Sequence, residues 1–187
     1  GGMPLVTIGA QILSQFDVRR SSRPYLRTLH DEFGHVVTLS IPGENAGIYL
    51  DKFEAEDFGL RLHSEIGKSF PLHCTAMGKL YLAYNAAGDV ESVLNGELTA
   101  FTANTITDPD KLREELQVVR AQGFALDREE ISMGLMCIGA PIFDVNGQVM
   151  AAVSFTCQPH VYDTIDRADV IAAVKRCAAR ASLNVAN

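Results

Sequence analysis

The chain has 187 residues, of which 47% are hydrophobic and 21% charged, a composition that suits one domain with a buried core. Sixteen basic against 23 acidic residues give a net charge of −7, and a surface of that sign repels nucleic-acid phosphates. No apolar run approaches the length of a membrane span, and the four cysteines include no C-x-x-C pair, which argues against a membrane protein and against a zinc or disulfide framework.

The first third of the sequence predicts two helices followed by a β-hairpin. Residues 8–20, "IGAQILSQFDVRR", carry apolar side chains at helical spacing. A second helix is expected over residues 21–34, with Ser22 as its N-cap and Pro24 in its first turn. "HVVTLSI" and "GIYLDKF", separated by "PGENA", then predict paired strands, and "LRLHS" at residues 60–64 predicts a further short strand.

Caps and turn residues define the elements of the second half. Thr75 is a suitable N-cap for a helix over "AMGKLYLAYN", and Asp108 for a helix over "PDKLREELQVVRAQ" that ends at Gly123. A strand is expected at residues 124–126. "GLMCIGAPIF" and "QVMAAVSFTC" predict a second hairpin with an Asn-Gly turn, and the tail predicts a helix from residue 163 to about 186. Helices around hairpin-connected strands predict an α+β fold, a mainly antiparallel sheet flanked by helices.

The second predicted hairpin has two contrasting faces, because side chains alternate along a strand. One face is apolar and predicts the core, with Ile138, Ala140, Ile142, Val149, Ala151, Val153, Phe155 and Cys157. The other face is small or hydroxyl-bearing, with Leu135, Cys137, Gly139, Met150, Ala152, Ser154 and Thr156. A solvated face would carry Lys, Glu or Arg. This second face therefore lines either a ligand cavity or a second core packed under a helix.

Two Gly-Lys pairs in "IGKSFPLHCTAMGK" raise the question of a nucleotide-binding P-loop. The pattern G-x-x-x-x-G-K-[ST] requires its first glycine where this sequence has Leu62 and His73, so we exclude that motif. The helix predicted here instead offers the free N–H groups of Ala76, Met77 and Gly78 at its positive end, where a carboxylate is stabilised. The alternative is an ordinary capped helix that binds nothing.

Three segments together resemble a known family. "FPLHCTAMGKLYLAY", "TITDPDKLREELQVVRAQGFALDREE" and "GLMCIGAPIFDVNGQVMAAVSF" follow, in order and spacing, the effector-binding domain of IclR-type bacterial transcription regulators. The resemblance covers nearly the whole chain. It implies a GAF-like domain with a curved sheet and a pocket for a small organic acid, without catalysis, metal or cofactor, in a cytoplasmic protein.

The resemblance also implies a domain organisation. We expect residues 1–20 to comprise a tag remnant, "GGM", and a linker helix, and residues 21–187 to form the effector-binding domain. Regulators of this type carry an N-terminal winged helix-turn-helix domain, which we do not find in this sequence. DNA would be contacted only through that missing domain. Ligand binding would alter self-association as a dimer or as a tetramer built from dimers.

The family's ligand-contacting positions fall on Ala76, Met77, Asp127, Cys137, Ser154 and Thr156, and its apolar wall positions on Leu62, Phe70 and Leu135. One further wall position is Gly59 here. The resemblance implies that N–H groups near Ala76 and Met77 hold the carboxylate. Asp127 would accept a hydrogen bond from a ligand hydroxyl or hydrated carbonyl. The alternative for Asp127, within "LDREE", is a solvated acidic turn.

Two other functions remain open from the sequence. One is an enzyme on the same fold that uses Cys137 or Cys157 as a redox thiol and Asp127 as an acid. The other is an interaction module whose pocket is filled core. The histidines show no metal-ligand spacing, and buried structural thiols are the expectation for all four cysteines.

Overall fold

The computed structural model describes residues 5–55 and 65–186. In this part of the chain the helices are Leu5–Phe33 (α1), Ala76–Ala83 (α2), Val90–Asn95 (α3), Pro109–Gln122 (α4), Pro159–Thr164 (α5) and Arg167–Ala186 (α6). The strands are Val36–Pro42 (β1), Gly47–Phe53 (β2), Ser69–Phe70 (β3), Ala125–Arg128 (β4), Met136–Phe143 (β5) and Val149–Cys157 (β6). None of these helices combines the length and the apolar character needed to span a bilayer.

The described strands form one sheet in the order β3-β2-β1-β6-β5-β4, and every neighbouring pair is antiparallel. The two predicted hairpins, β1–β2 and β5–β6, therefore lie side by side and are joined by the β1–β6 pairing. Helices cover both faces of the sheet, which confirms the predicted α+β fold. The strand predicted at residues 60–64 lies outside the described residues.

Short polar contacts fix the turns and caps that the sequence predicted. In the β5–β6 turn, the Asp144 carboxylate accepts from the N–H groups of Asn146 and Gln148 at 2.8 and 3.0 Å. Asp108 caps α4 by accepting from the N–H of Asp110 at 2.8 Å, and α4 ends at Gly123 in the left-handed region. These contacts satisfy the backbone groups that each helix end or turn would otherwise leave unpaired.

The core is divided between the two faces of the sheet. On one face, apolar side chains of β1, β5 and β6 pack against α1 and α6 in a cluster that includes Leu39, Val153 and Val174. On the opposite face, α2 lies on β5 and β6 and is itself covered by α4, in a second cluster that includes Leu80 and Leu112. The second face is therefore enclosed, as its lack of charged side chains indicated.

The predicted alternation in β6 is correct except at its first two residues. Ile142 pairs with Ala151 but Phe143 pairs with Val149, so Met150 is the extra residue of a β-bulge. The extra residue reverses the faces before it. Val149 packs in the cluster with α2 and α4, whereas Met150 packs against the cluster with α1 and α6, opposite to the prediction.

The prediction of two N-terminal helices, with Ser22 as an N-cap, is wrong. Residues 5–33 form the single helix α1, and Pro24 lies inside it. A proline in a helix interior removes one backbone hydrogen bond and costs about 3 kcal/mol. Packing offsets this cost, because Leu26 and Leu29 lie buried against the sheet, and Arg23 pairs with a buried carboxylate on β2.

The last predicted helix is present as α6 but begins four residues later than expected, and a separate short helix, α5, precedes it. α5 begins at Pro159, and α6 begins at Arg167 after an extended residue, Ile165. The short helix α3 was not predicted; the side chain of Asp89 caps it by accepting from the N–H of Glu91. The strand expected at residues 124–126 is present one residue later, as β4.

Candidate functional site

A cavity of about 480 Å³ lies between the N-terminus of α2 and the sheet. Eight of the nine predicted ligand-binding residues line it: Phe70, Ala76, Met77, Asp127, Leu135, Cys137, Ser154 and Thr156. The ninth, Leu62, lies outside the described residues, as does the wall position Gly59. The sequence thus identified a set of residues, distant along the chain, that the fold brings around one space.

The sheet register explains how the floor of this cavity forms. Asp127, Cys137 and Thr156 lie in one row across β4, β5 and β6, because Asp127 pairs with Cys137 and Cys137 with Thr156. In the next row on the same face, Ser154 of β6 lies between Gly139 of β5 and Thr38 of β1. The Cys137 thiol and the Thr156 hydroxyl are 3.3 Å apart. The floor therefore presents one carboxyl group, one thiol and adjacent hydroxyls.

Both alternatives for the small face of this hairpin apply, at different positions. Ala152 packs in the core under α2, whereas Ser154 and Thr156, further along the same strand, line the cavity. A Cβ atom at Gly139 would lie 3.2 Å from the Cβ of Ala76, so the absence of a side chain there lets α2 approach the sheet closely. The face is thus a core at one end and a cavity floor at the other.

The N-terminus of α2 supplies backbone donors at the cavity. The Thr75 hydroxyl oxygen accepts from the N–H of Gly78 at 3.1 Å, as its predicted role as N-cap requires. Gly78 is therefore not available to a ligand, which corrects the prediction of three free donors. The N–H groups of Ala76 and Met77 donate to no other described residue. Two donors at a positive helix end suit one carboxylate.

Asp127 is a buried residue and not part of a solvated acidic turn. Only 1% of it is exposed, and its Oδ1 atom accepts from the N–H of Glu130 at 2.8 Å. Its Oδ2 atom has no hydrogen-bond partner among the described residues. Burial raises the pKa of Asp127 to about 7, because removal from water disfavours the charged form. Near neutral pH this carboxyl group can therefore either accept or donate a hydrogen bond.

Lys79 is a functional candidate that sequence reasoning missed. Its side chain is fully buried, and its Nζ atom lies 2.7 Å from the carboxylate of Glu130 and 3.2 Å from that of Glu115. It also donates to the carbonyl of Leu126 at 2.9 Å. Lys79 thereby ties α2 to the β4 loop whose backbone holds Asp127. A lysine within the otherwise apolar helix "AMGKLYLA" was the available signal.

The cavity has further lining residues that were not predicted from the sequence. They include Thr38, Tyr49, Ser69, Pro71, Phe101, Ile131 and Ser132. Thr38 lies beside Ser154 across the β1–β6 pairing, and it is only 4% exposed. The alternation of "HVVTLSI" contained a signal for it, since Thr38 and Ser40 share a small hydroxyl-bearing face. Tyr49 and Phe70 form a wall, with ring centroids 4.6 Å apart.

The cysteines are poorly suited to redox or nucleophilic chemistry. Burial raises the pKa of the Cys74, Cys157 and Cys177 thiols to about 12. The pKa of Cys137 is also raised by burial and, secondarily, by Asp127. The reactive form of a cysteine is the thiolate, which these environments disfavour. The described residues include no cluster of histidine, cysteine, aspartate or glutamate side chains that could hold a metal ion.

A second, larger groove of about 740 Å³ lies beside β4 and α5. Its described lining includes Arg128, Glu129, Asp163 and Arg167, charges of both signs that do not converge on one ligand type. None of the eight predicted ligand-binding residues that the structure describes lines this groove. The cavity under α2 is therefore the candidate site.

Comparison with known proteins identifies the family and the fold. The model of the family described as bacterial transcriptional regulator IclR C-terminal matches residues 10–183. The chain is 34% identical over 154 residues to the DNA-binding transcriptional repressor YiaJ of Escherichia coli, covering 81% of this chain and 55% of that protein. The chain therefore spans little more than half the length of this relative.

Solved structures share the fold. The IclR structure from Thermotoga maritima matches with a TM-score of 0.85 and 31% identity, covering 98% of this chain and 74% of that one. An IclR homolog from Microbacterium hydrocarbonoxydans, complexed with 4-hydroxybenzoate, matches with a TM-score of 0.83 over 91% of this chain and 69% of that one. At 20% identity, this last likeness shows the fold alone. The chain belongs to the IclR family as the C-terminal, effector-binding domain of a bacterial transcription regulator, and not to an enzyme family.

Proposed function

We propose that the cavity under α2 binds a small carboxylic acid as the effector of the regulator. The observation that carries this proposal is that one cavity is lined by Ala76 and Met77, whose N–H groups donate to no other described residue, and by Asp127, one of whose carboxyl oxygens has no partner among the described residues. Hydroxyl groups of the sheet floor lie between these ends. The Microbacterium homolog is complexed with 4-hydroxybenzoate, which supports an aromatic or hydroxylated acid as one class to test.

We expect the charges of the site to determine the orientation of the ligand. Two carboxylates in contact repel each other, so the acid group lies at the helix end and away from Asp127. Asp127 then faces a hydroxyl or carbonyl group of the ligand. Because its pKa is raised to about 7, its neutral form can donate to a carbonyl and its charged form can accept from a hydroxyl. Ser154, Thr156 and Cys137 orient the remainder of the ligand.

In the whole regulator, we propose that the effector changes how copies of the protein associate, as a dimer or as a tetramer built from dimers. This is a coupling between two sites, and it requires the ligand to bind one arrangement more tightly than the other. DNA would be contacted by a part of the regulator outside this chain. The net charge of −7 supports that division, because it disfavours contact with phosphates.

The ligand proposal is tested by a thermal-shift panel of small hydroxy-, keto- and aromatic acids, including 4-hydroxybenzoate and its neutral amide. We expect acids to stabilise the protein and the amide to have no effect. Ser154→Ala should weaken binding by about 0.5–1.5 kcal/mol, the contribution of one neutral hydrogen bond. Asp127→Ala should change which acids bind, because the residue faces the distinguishing groups of the ligand. Ala76→Val should weaken all acids alike by crowding the backbone donors.

Ser92→Ala, an exposed change on α3, is the matched control for Ser154→Ala and should respond as the wild type does. If the wild type and the three cavity variants respond to the panel identically, the assigned site is wrong. If no acid stabilises the wild type, the ligand class is wrong.

A further inference from the structure

The strand β2 carries one side chain to the cavity and another to the long helix α1. Ser40 of β1 pairs with Tyr49, but the residue before it, Leu39, pairs with Asp51. Leu50 is therefore the extra residue of a β-bulge. In a regular strand Tyr49 and Asp51 would share a face. Because of the bulge, Tyr49 lines the cavity whereas Asp51 faces α1 on the other side of the sheet.

On the cavity side, Tyr49 forms part of the wall. Its ring packs on Phe70, and its hydroxyl makes no hydrogen bond with another residue of the described chain. Its backbone is held firmly, since its N–H donates to the carbonyl of Lys68 at 3.0 Å and its carbonyl accepts from Gly67 at 2.8 Å. A ligand that contacts the ring therefore acts on the strand at the bulge itself.

On the other side, Asp51 anchors α1. It is 1% exposed, and its two carboxylate oxygens accept from Arg23 at 2.7 and 2.6 Å, while Arg19 lies at 3.6 Å. The guanidinium of Arg23 also lies 4.7 Å above the ring of Phe53. N-terminal to Arg19, residues 12–17 of α1 are exposed. Asp51 is thus a buried charge that holds α1 where it leaves the body of the domain.

We propose that Tyr49 contacts the effector and that the bulge at Leu50 transmits this contact to Asp51, altering how firmly Arg19 and Arg23 hold α1. The inference rests on the proposed function, since it gives the site its route of regulation. Both oxygens of Asp51 accept from the single Nη1 atom of Arg23, so the pairing depends on how the carboxylate on β2 is aimed at α1. A small rotation of the strand at the bulge therefore changes the pairing, and with it the order of the exposed end of α1.

The link can be tested without knowing the effector, by hydrogen exchange of the intact chain measured on peptides covering residues 12–23. Exchange protection reports local opening of a helix. We expect Tyr49→Ala to accelerate exchange in this part of α1 by at least about five-fold, the lower end of couplings between linked sites. Phe101→Ala is the matched control, because it removes another aromatic ring from the cavity lining, on a segment between α3 and α4 that is outside the sheet, and it should leave α1 unchanged.

Asp51→Asn, alone and combined with Tyr49→Ala, makes a double-mutant cycle. It should accelerate exchange in α1 by itself, and Tyr49→Ala should then add nothing, because the link is already broken. Tyr49→Leu, which keeps an apolar side chain in place, should act in the same direction if the alanine variant folds poorly. Equal effects of Phe101→Ala and Tyr49→Ala on α1, or additive effects of Tyr49→Ala and Asp51→Asn, would overturn the link.

This result is separable from the proposed function. If no acid stabilises the protein but Tyr49→Ala accelerates exchange in α1 as expected, the ligand assignment is wrong and the connection from the cavity wall to α1 stands. A successful panel with no effect of Tyr49 on α1 removes the connection and leaves the site.

Discussion

Asp127 determines both the polarity of the candidate site and its response to pH. Its carboxyl group is held by one backbone N–H on one oxygen and unpaired among the described residues on the other. The folded state favours the neutral form, because burial raises the pKa from 3.8 to about 7. The contribution of Asp127 to the free energy of unfolding is therefore fully present below about pH 4, where the carboxyl group is protonated in both the folded and the unfolded state. It is lost as the pH rises through 7.

This linkage predicts the behaviour of Asp127→Asn. The amide oxygen can still accept from Glu130, but the side chain no longer ionises. Between about pH 5 and pH 8 the wild type should lose stability relative to the variant, by on the order of 2 kcal/mol. Urea unfolding of both proteins at the two pH values measures the difference. Parallel pH profiles would contradict the assignment of a raised pKa to Asp127.

Lys79, the buried cation that pairs with Glu130, should also contribute to the stability of the fold. Lys79→Met leaves Glu130 buried and without its cation, which should lower the free energy of unfolding by about 3–5 kcal/mol. Lys111→Met, an exposed lysine on α4, is the matched control and should change stability by less than about 0.5 kcal/mol. Adding Glu130→Gln to Lys79→Met should recover part of the loss. Equal stability of Lys79→Met and Lys111→Met would show that the pairing of Lys79 with Glu130 does not stabilise the fold.

At the scale of the elements, local sequence signals predicted the parts whose structure is decided locally. Asp108 and Thr75 cap helices as expected, and the Asn-Gly turn joins β5 to β6. Alternation along β5 and β6 identified the small face of the hairpin but left open whether it lined a cavity or a second core. The cap at Thr75 indicated donors at the helix end, and the resemblance to a family then added Asp127.

The elements that were missed depend on contacts between distant residues. Nothing near Pro24 signals that α1 continues through it, because the compensating contact is with Asp51 on β2. The bulges at Met150 and Leu50 each reverse the faces of a strand, and neither residue is a glycine that would have indicated one. Lys79 stands out in the sequence as a charged residue in an otherwise apolar helix, but its two partner carboxylates lie 36 and 51 residues away, so no local pattern connects them.

At the scale of the whole molecule, α1 presents an apolar surface consistent with the proposed self-association. Ile12, Leu13 and Phe16 are 60%, 65% and 59% exposed on the part of α1 beyond its anchor. We expect the chain to form a dimer, or a tetramer built from dimers, as closed symmetry favours. Light scattering across a concentration series measures the mass.

A matched pair of variants tests where copies meet. Phe16→Asp should shift the mass toward monomer, because a charge in an apolar contact is costly to bury. Val118→Asp on α4, where the residue is also half exposed, should not. A wild type that stays monomeric at every concentration would contradict the proposed self-association, and equal effects of the two variants would exclude α1 as its surface.

We expect the first turn of α2 to bind the carboxylate of an effector. A titration of ¹⁵N-labelled protein with 4-hydroxybenzoate and, separately, with its neutral amide tests this, with the backbone amide resonances as the readout. The acid should shift the resonances of Ala76 and Met77 most strongly, and the neutral analogue should leave them unchanged. Equal shifts with both compounds, or acid-induced shifts confined to other parts of the chain, would contradict it.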